Sequence, residues 1–160
     1  MKSVVACCLL IMLFSSSCLK NKSDNTCTFN SCAFVAPVSE IQQVEDFLTA
    51  NNITATKHCS GMYYIILEPG NGQSPEVCDG VGVTYVGRLT NGQTFDEATS
   101  PVNFSLNSLI GGWQLGIPLI KTGGKIRLYI PPSLGYGSQQ SGSIPANSIL
   151  IFDIDLIAVY

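Results

Sequence analysis

The chain has 160 residues, of which 46% are hydrophobic and 12% are charged, and its formal net charge is −3 at pH 7. An apolar share of this size supports one packed domain and argues against an intrinsically disordered chain. The eight lysines and arginines are scattered along the sequence, so no nucleic-acid partner is predicted. The sequence has a single histidine, no glycine-rich phosphate loop and no cluster of metal ligands, so it predicts no metal site and no cofactor.

The N-terminus has the pattern of an export signal. Lys2 precedes an uncharged apolar run over residues 4–14, which is too short to span a bilayer as a helix. The small residues before Cys18 resemble a bacterial lipobox, although Ser15 stands where that pattern usually has leucine. We therefore predict a signal peptide over residues 1–17 and a lipidated Cys18 that anchors the protein on the periplasmic side of a bacterial membrane. The alternative is an ordinary signal peptide that is cleaved near Cys18.

The remaining cysteines predict disulfide bonds. Two of the seven lie in the predicted signal peptide and Cys18 is the lipidation candidate, which leaves Cys27, Cys32, Cys59 and Cys78. An even number of cysteines in an exported protein favours disulfides, although more than one pairing is possible. We favour the pairs nearest in sequence, Cys27–Cys32 and Cys59–Cys78. A zinc site is the rival interpretation, and the Cys27–Cys32 spacing fits it poorly.

A short helix is predicted between the membrane tether and the main domain. Residues 18–36 comprise the lipidated cysteine and a polar, irregular tether, and residues 37–57 form an N-terminal helical segment. Ser39 is a candidate helix cap, and the apolar residues recur at helical spacing: Val38, Ile41, Val44, Phe47 and Leu48. We expect this helix to dock on the domain through its apolar stripe, with a dimerisation helix as the alternative.

From residue 62 onward the apolar spacing changes from helical to alternating, which is typical of β-strands. The alternation is clear over residues 63–67, 81–89, 102–106, 126–130 and 152–158. Alternation with one polar face predicts an antiparallel sheet that buries its other face. Residues 109–115 are the best place for a short helix, and packing this helix into the concave face of the sheet would give an α+β domain over residues 58–160.

A series of short motifs runs through this domain. They are Val83-Thr84-Tyr85-Val86-Gly87, Asn91-Gly92-Gln93-Thr94-Phe95-Asp96, Gly112-Trp113, Ile130-Pro131-Pro132, Leu134-Gly135-Tyr136-Gly137 and Leu150-Ile151-Phe152-Asp153. In order and spacing this set resembles the FKBP-type peptidyl-prolyl isomerases over roughly half of the chain. The resemblance implies a strongly twisted antiparallel sheet wrapped around a short helix, here preceded by the N-terminal helix. It also implies an isomerase that acts on proline-containing polypeptides without a cofactor. Macrolide-type inhibitors could occupy its proline-binding slot. We expect a monomer.

The resemblance assigns the apolar part of a proline-binding slot. Trp113 would form its floor, and Tyr85, Phe95 and Phe152 would form its walls. Asp96 would lie at the rim of the slot. Because Tyr85 faces the apolar side of its strand, its hydroxyl needs a partner, and Asp96 is the natural candidate.

The resemblance also assigns the groups that would meet the substrate backbone. Ile110 would offer its N–H to one substrate carbonyl, with Leu109 packing beside it, and Tyr136 would offer its hydroxyl to another carbonyl. Ile144 would lie on the loop before the last strand and cover the slot. Val102 stands where many members of the family carry phenylalanine, which predicts a wider slot.

Two other functions remain open from the sequence. The same domain could bind apolar segments as a chaperone-like module without turnover, and Val102 and the altered loops over residues 96–101 and 138–143 motivate this alternative. A small lipoprotein whose helix and tether serve assembly is the third possibility. Catalysis on a short X-Pro peptide would separate the first alternative from an isomerase.

Overall fold

The computed structural model describes residues 27–160, so the predicted signal peptide and Cys18 lie outside the described residues. Within these residues the chain forms two α-helices and six β-strands: α1 (Val38–Ala50), β1 (Thr56–Lys57), β2 (Tyr63–Glu68), β3 (Gly80–Leu89), β4 (Thr94–Ser105), α2 (Gly111–Gly116), β5 (Lys125–Ile130) and β6 (Leu150–Val159). Neither helix in this part of the chain is long and apolar enough to cross a membrane.

The six strands form one antiparallel sheet in the order β1-β2-β5-β6-β3-β4. Alternation along β6 decides its two faces, because Phe152, Ile154 and Leu156 are buried while Asp153 and Asp155 lie on the opposite face. The predicted fold class is therefore confirmed: an antiparallel sheet buries one face around a short helix, and a second helix precedes it.

An ionic cluster on the polar face ties three strands together. Asp153 of β6 accepts hydrogen bonds from Arg88 of β3 at 2.7 Å and from Arg127 of β5 at 2.5 and 3.0 Å. The carboxylate raises the pKa of Arg127, and all three side chains remain partly exposed. The cluster therefore links neighbouring strands on the face of the sheet opposite Phe152 and Trp113.

Helix α2 lies close against the sheet because two of its residues have no side chain. A Cβ at Gly116 would come within 2.5 Å of Leu128 Cδ1 on β5, and a Cβ at Gly112 would come within 2.7 Å of Ile130 Cγ1. Both distances are far shorter than the ~3.5–4.0 Å at which carbon atoms pack. The two glycines thus set the depth at which α2 enters the concave face.

Strand β4 is longer than the sequence predicts. The alternation predicted a strand from Val102, but β4 already begins at Thr94. Its pairing with β3 is irregular in the middle, because Tyr85 lies opposite Ala98 whereas Val83 lies opposite Val102. A bulge of this kind interrupts the alternation that sequence analysis depends on. Pro101 lies within it, and proline is tolerated there because β4 is an edge strand.

Helix α1 docks on the domain, as predicted. Ile41, Val44 and Leu48 are buried in the same core cluster as the sheet, whereas Val38 is 82% exposed. The helix begins at Val38, one residue before the predicted cap, and no side chain caps its N-terminus. Glu40 instead accepts a hydrogen bond from the Ser133 N–H at 2.8 Å, which ties α1 to the loop after β5.

The disulfide pairing predicted from the sequence is wrong. The structure pairs Cys27 with Cys78 and Cys32 with Cys59, at Cα–Cα distances of 5.8 and 5.5 Å. Residues 27–36, which the sequence predicts as tether, run along the domain and bring the two cysteines to different loops. Ala36 is also buried and donates its N–H to the Ser60 carbonyl at 2.8 Å. This segment is therefore part of the folded domain.

Tryptic digestion without reduction distinguishes the two pairings. Trypsin should cleave after Lys22, Lys57 and Arg88, and no lysine or arginine lies between these sites. Because both disulfides join residues before Lys57 to residues after it, we expect peptides 23–57 and 58–88 to appear as one linked species by mass spectrometry. Separate peptides would restore the nearest-neighbour pairing.

A second digestion identifies which cysteine is joined to which. Cleavage after Phe29 separates Cys27 from Cys32, and cleavage after Glu68 separates Cys59 from Cys78. We expect the fragment with Cys27 to remain bound to the fragment with Cys78. The reverse combination would contradict the structure.

Candidate active site

A pocket of about 270 Å³ opens between α2, the turn before it and the end of the sheet formed by β6, β3 and β4. We call it the Trp113 pocket. It is lined by Tyr85, Asp96, Phe104, Ser108, Leu109, Ile110, Trp113, Tyr136 and Phe152. Most of this lining is aromatic or aliphatic, with a few polar groups at the edge, which is the usual composition of a site for a small apolar group.

Trp113 is the centre of an aromatic cluster. Its ring meets the ring of Tyr85 at a centroid distance of 5.1 Å, that of Phe152 at 5.2 Å and that of Phe104 at 6.0 Å, each near perpendicular. Such edge-to-face pairs contribute ~0.5–1.5 kcal/mol beyond the burial of their area. Trp113 is only 4% exposed, so the floor of the pocket is also part of the hydrophobic core.

The predicted hydrogen bond between Tyr85 and Asp96 is confirmed. The Tyr85 hydroxyl donates to Asp96 Oδ2 at 2.7 Å, because Asp96 lies opposite Gly87 in the β3–β4 ladder, two residues along from Tyr85. Burial, followed by the hydrogen bond to Asp96 and the negative charge of that residue, raises the pKa of Tyr85 to about 12. At neutral pH the hydroxyl therefore remains protonated and bound to the carboxylate.

The turn before α2 presents a backbone donor to the pocket. The Ile110 N–H makes no hydrogen bond to another of the described residues, although the Ile110 carbonyl accepts from Trp113 and Gln114. The Gln114 side chain donates to the Leu109 carbonyl at 2.7 Å and to the Asn107 carbonyl at 3.3 Å. Gln114 thus supports the turn that carries Ile110, a role that no sequence motif indicated.

Tyr136 supplies a second polar group at the rim. Its side chain is 42% exposed, and its hydroxyl makes no hydrogen bond to another residue in the range 27–160. Burial, with a smaller contribution from the charge of Asp96, raises the pKa of Tyr136. The hydroxyl is therefore a neutral donor that a bound molecule could reach.

Three residues assigned to the slot by resemblance do not line the Trp113 pocket. Phe95 packs edge-on behind Phe152 at 5.4 Å, and Ile144 is buried in the core on the loop before β6. Val102 is 39% exposed on the edge strand.

Phe104 takes the position that Val102 was expected to hold. Phe104 lies two residues further along β4, and its ring reaches both Trp113 and Tyr85. Phe104, and not Val102, therefore supplies the β4 side chain in the pocket lining. The bulge in β4 makes such a shift invisible in the sequence, although Phe104 is the next aromatic residue after Phe95. Ser108, which also lines the pocket, carried no signal in the sequence.

A family profile described as "FKBP-type peptidyl-prolyl cis-trans isomerase" matches residues 72–157. The FKBP-type peptidyl-prolyl cis-trans isomerase FkpA of Aeromonas hydrophila is 38% identical over 72% of this chain and 45% of its own length. The peptidyl-prolyl cis-trans isomerase Mip of Coxiella burnetii is 44% identical over 71% of this chain and 52% of its own length. The chain thus spans about half the length of these curated relatives.

One solved structure is similar over nearly its whole length. The peptidyl-prolyl cis-trans isomerase of Pseudomonas syringae superposes with a TM-score of 0.68 at 35% sequence identity. The match covers 78% of this chain and 96% of that chain.

Titration of Tyr85 tests the hydrogen bond to Asp96. In protein labelled at the tyrosine Cζ, we expect the Tyr85 NMR signal to titrate near pH 12. The Asp96→Asn substitution should lower this pKa, because it removes the negative charge that opposes ionisation. An unchanged Tyr85 pKa would show that Asp96 makes no contribution.

The same shift predicts the pH dependence of stability. The folded pKa of Tyr85 lies above the unfolded value of ~10, so its contribution is complete below pH ~10 and is lost as the pH rises through the folded value. The Tyr85→Phe variant should therefore show a shallower fall in the free energy of unfolding over this alkaline range. Denaturant titrations at several pH values provide the comparison.

Proposed function

Because the chain belongs to the FKBP-type peptidyl-prolyl cis-trans isomerase family, we propose that it catalyses the rotation of X-Pro peptide bonds in the Trp113 pocket. The observation that carries this proposal is the aromatic cluster around Trp113, which forms an apolar slot closed on three sides by rings. A proline ring is a small apolar group that fits such a slot. The reaction needs no nucleophile and no metal, because no covalent bond is broken.

The barrier to be lowered arises from amide resonance. It amounts to ~18–20 kcal/mol, while the cis and trans forms of an X-Pro bond differ by only ~0.5–1 kcal/mol. At the top of the barrier the amide is twisted and its nitrogen is no longer conjugated with the carbonyl. A site that holds the twisted form more tightly than either planar form therefore accelerates rotation in both directions.

The proposed mechanism separates apolar binding from hydrogen bonding. The proline ring lies over Trp113 between Tyr85 and Phe152, where water is excluded. The Ile110 N–H donates to a carbonyl of the substrate backbone, and the Tyr136 hydroxyl donates to a second one. With the ring and the flanking backbone held, the carbonyl of the residue before proline is free to rotate.

Asp96 acts in this proposal as a positioning residue. Its hydrogen bond holds the Tyr85 ring in its orientation, and this orientation keeps the ring edge-on to Trp113. Because the Tyr85 pKa is raised to about 12, proton transfer from this hydroxyl at neutral pH is disfavoured. The pocket therefore works through shape and hydrogen bonds rather than through acid–base chemistry.

The proposed substrates are proline-containing segments of exported polypeptides. The predicted export signal over residues 1–17, the predicted lipid anchor at Cys18 and the two disulfides between the remaining cysteines all favour the periplasmic side of a bacterial membrane. We further propose that the protein acts as a monomer, and that macrolide-type inhibitors compete for the slot. The non-catalytic alternative depended on Val102 and the altered loops, and the Phe104 ring in the pocket argues against the first of these two motives.

Exchange spectroscopy tests the activity directly. NMR exchange between the cis and trans forms of a short Leu-Pro peptide should accelerate strongly on addition of the oxidised chain of residues 19–160. The Tyr136→Phe variant removes one donor and keeps the ring, so we expect kcat/KM to fall about tenfold, equivalent to ~1.4 kcal/mol. No acceleration by a folded sample would reject the isomerase, and unchanged activity in the variant would reject the role of Tyr136.

A matched pair of variants tests the revised pocket wall. Phe104→Ala removes a ring that touches Trp113 and Tyr85, so we expect a loss of kcat/KM of about tenfold, comparable to one aromatic pair. Val102→Ala removes an exposed side chain from the same strand and should leave kcat/KM unchanged. Circular dichroism and thermal unfolding would verify that both variants fold. Equal losses in the two variants would contradict the assignment of Phe104.

A further inference from the structure

The first part of the described chain displays apolar side chains to solvent. Residues 27–39 contain no charged residue, and four large apolar side chains in this stretch are exposed: Phe29 (43%), Phe34 (54%), Val35 (54%) and Val38 (82%). We call residues 29–38 the apolar loop. Single exposed apolar residues are common, whereas several close together in sequence and space mark an interaction surface.

The apolar loop is held in this exposed position by covalent bonds. Cys27 and Cys32 are both bound to the domain by disulfides, and the Ala36 N–H donates to the Ser60 carbonyl at 2.8 Å. Within the loop, the Ala33 N–H donates to the Asn30 carbonyl at 3.1 Å. These three contacts fix the path of the backbone that carries the two phenylalanines.

The position of the loop along the chain indicates what covers it. We propose that the apolar loop inserts into the interface of the bilayer to which Cys18 anchors the protein, an inference that rests on the proposed lipid anchor. Only residues 19–26 separate Cys18 from Cys27, and nine residue steps span at most ~30 Å. The loop begins where this short connection ends, so it is the part of the domain nearest to the membrane along the chain.

The charges next to the loop suit a membrane surface. Residues 19–26 carry Lys20, Lys22 and Asp24, which gives a net charge of +1, and a net positive connection is attracted to an anionic bilayer. The first acidic residue after the loop, Glu40, is occupied by its hydrogen bond from the Ser133 N–H. A multiply acylated Cys18 would by itself hold the chain on the membrane, so a second contact of this kind chiefly orients the domain on the surface.

Docking through the apolar loop leaves the Trp113 pocket open. Phe29 and Phe34 share a surface groove with Gly111, Gln114 and Leu115 of α2. Trp113, which faces the pocket, lies on the opposite side of this helix, because a helix turns through about 100° per residue. A protein that rests on the bilayer through the apolar loop therefore presents its pocket away from the contact.

Quenching by brominated lipids tests the contact in the lipidated protein. The chain has one tryptophan, which is 4% exposed, so its emission provides a constant background. In vesicles of phosphatidylethanolamine and phosphatidylglycerol with brominated acyl chains, we expect the added emission of Phe34→Trp to be strongly quenched. The control is Thr90→Trp at the β3–β4 hairpin tip, the end of β3 away from Cys78 and its disulfide to Cys27. Its quenching should be several-fold weaker.

The outcomes separate docking from anchoring. Mass spectrometry first determines whether Cys18 carries acyl chains. If it does, and neither variant is quenched or both are quenched equally, the docking proposal is overturned while the anchor stands. A second outcome concerns an unfolded polypeptide as the partner of the loop. If the Phe34→Trp emission is not quenched and Phe34→Ser abolishes the binding of an unfolded polypeptide to the lipidated protein, the loop is a client-binding surface, and the docking proposal is overturned.

If Cys18 carries no acyl chain, flotation of residues 19–160 with the same vesicles decides the question. This fragment retains the described core, which lies within residues 27–160. Binding that falls on the order of tenfold with each of Phe29→Ser and Phe34→Ser, as expected for one half-inserted ring, would support docking without the anchor. An absence of binding by the unsubstituted fragment would overturn it.

Discussion

The contact between the Trp113 ring and the concave face of the sheet is the interaction on which the domain depends. Three aromatic rings from three neighbouring strands meet this indole nearly at right angles. The contact is possible only because Gly112 and Gly116 let α2 approach β5 without a side chain between them. Packing of α2 against the sheet therefore also forms the floor of the pocket.

The polar groups of the pocket are arranged around this apolar centre rather than within it. Asp96 holds Tyr85 from the solvent side, Gln114 supports the turn that carries the Ile110 N–H, and the Tyr136 hydroxyl stands free at the rim. Each of these groups is neutral or exposed, so none requires a buried charge. A site of this composition suits a reaction in which an amide twists and no proton or electron pair leaves the substrate.

The two sides of α2 have different partners, and this division organises the rest of the molecule. One side meets the aromatic rings of the sheet, and the other meets the N-terminal segment that the disulfides fasten to the domain. Helix α1 joins the same buried cluster through Ile41, Val44 and Leu48. Residues 27–36 are thus fastened to the domain by both disulfides and lie beside α2.

The sequence by itself determined the fold class, the docking of α1 and most of the pocket. Alternation and helical spacing are local properties of the chain, and the motifs around Tyr85, Trp113 and Phe152 keep their order whatever the details of packing. Only the tertiary structure decided the disulfide pairing, the presence of Phe104 rather than Val102 in the pocket lining, and the support of the Ile110 turn by Gln114. The physical reason is the same in each case, because these contacts depend on where the folded backbone places each residue. A bulge in β4, or a segment that lies across the domain, leaves no periodic pattern in the sequence.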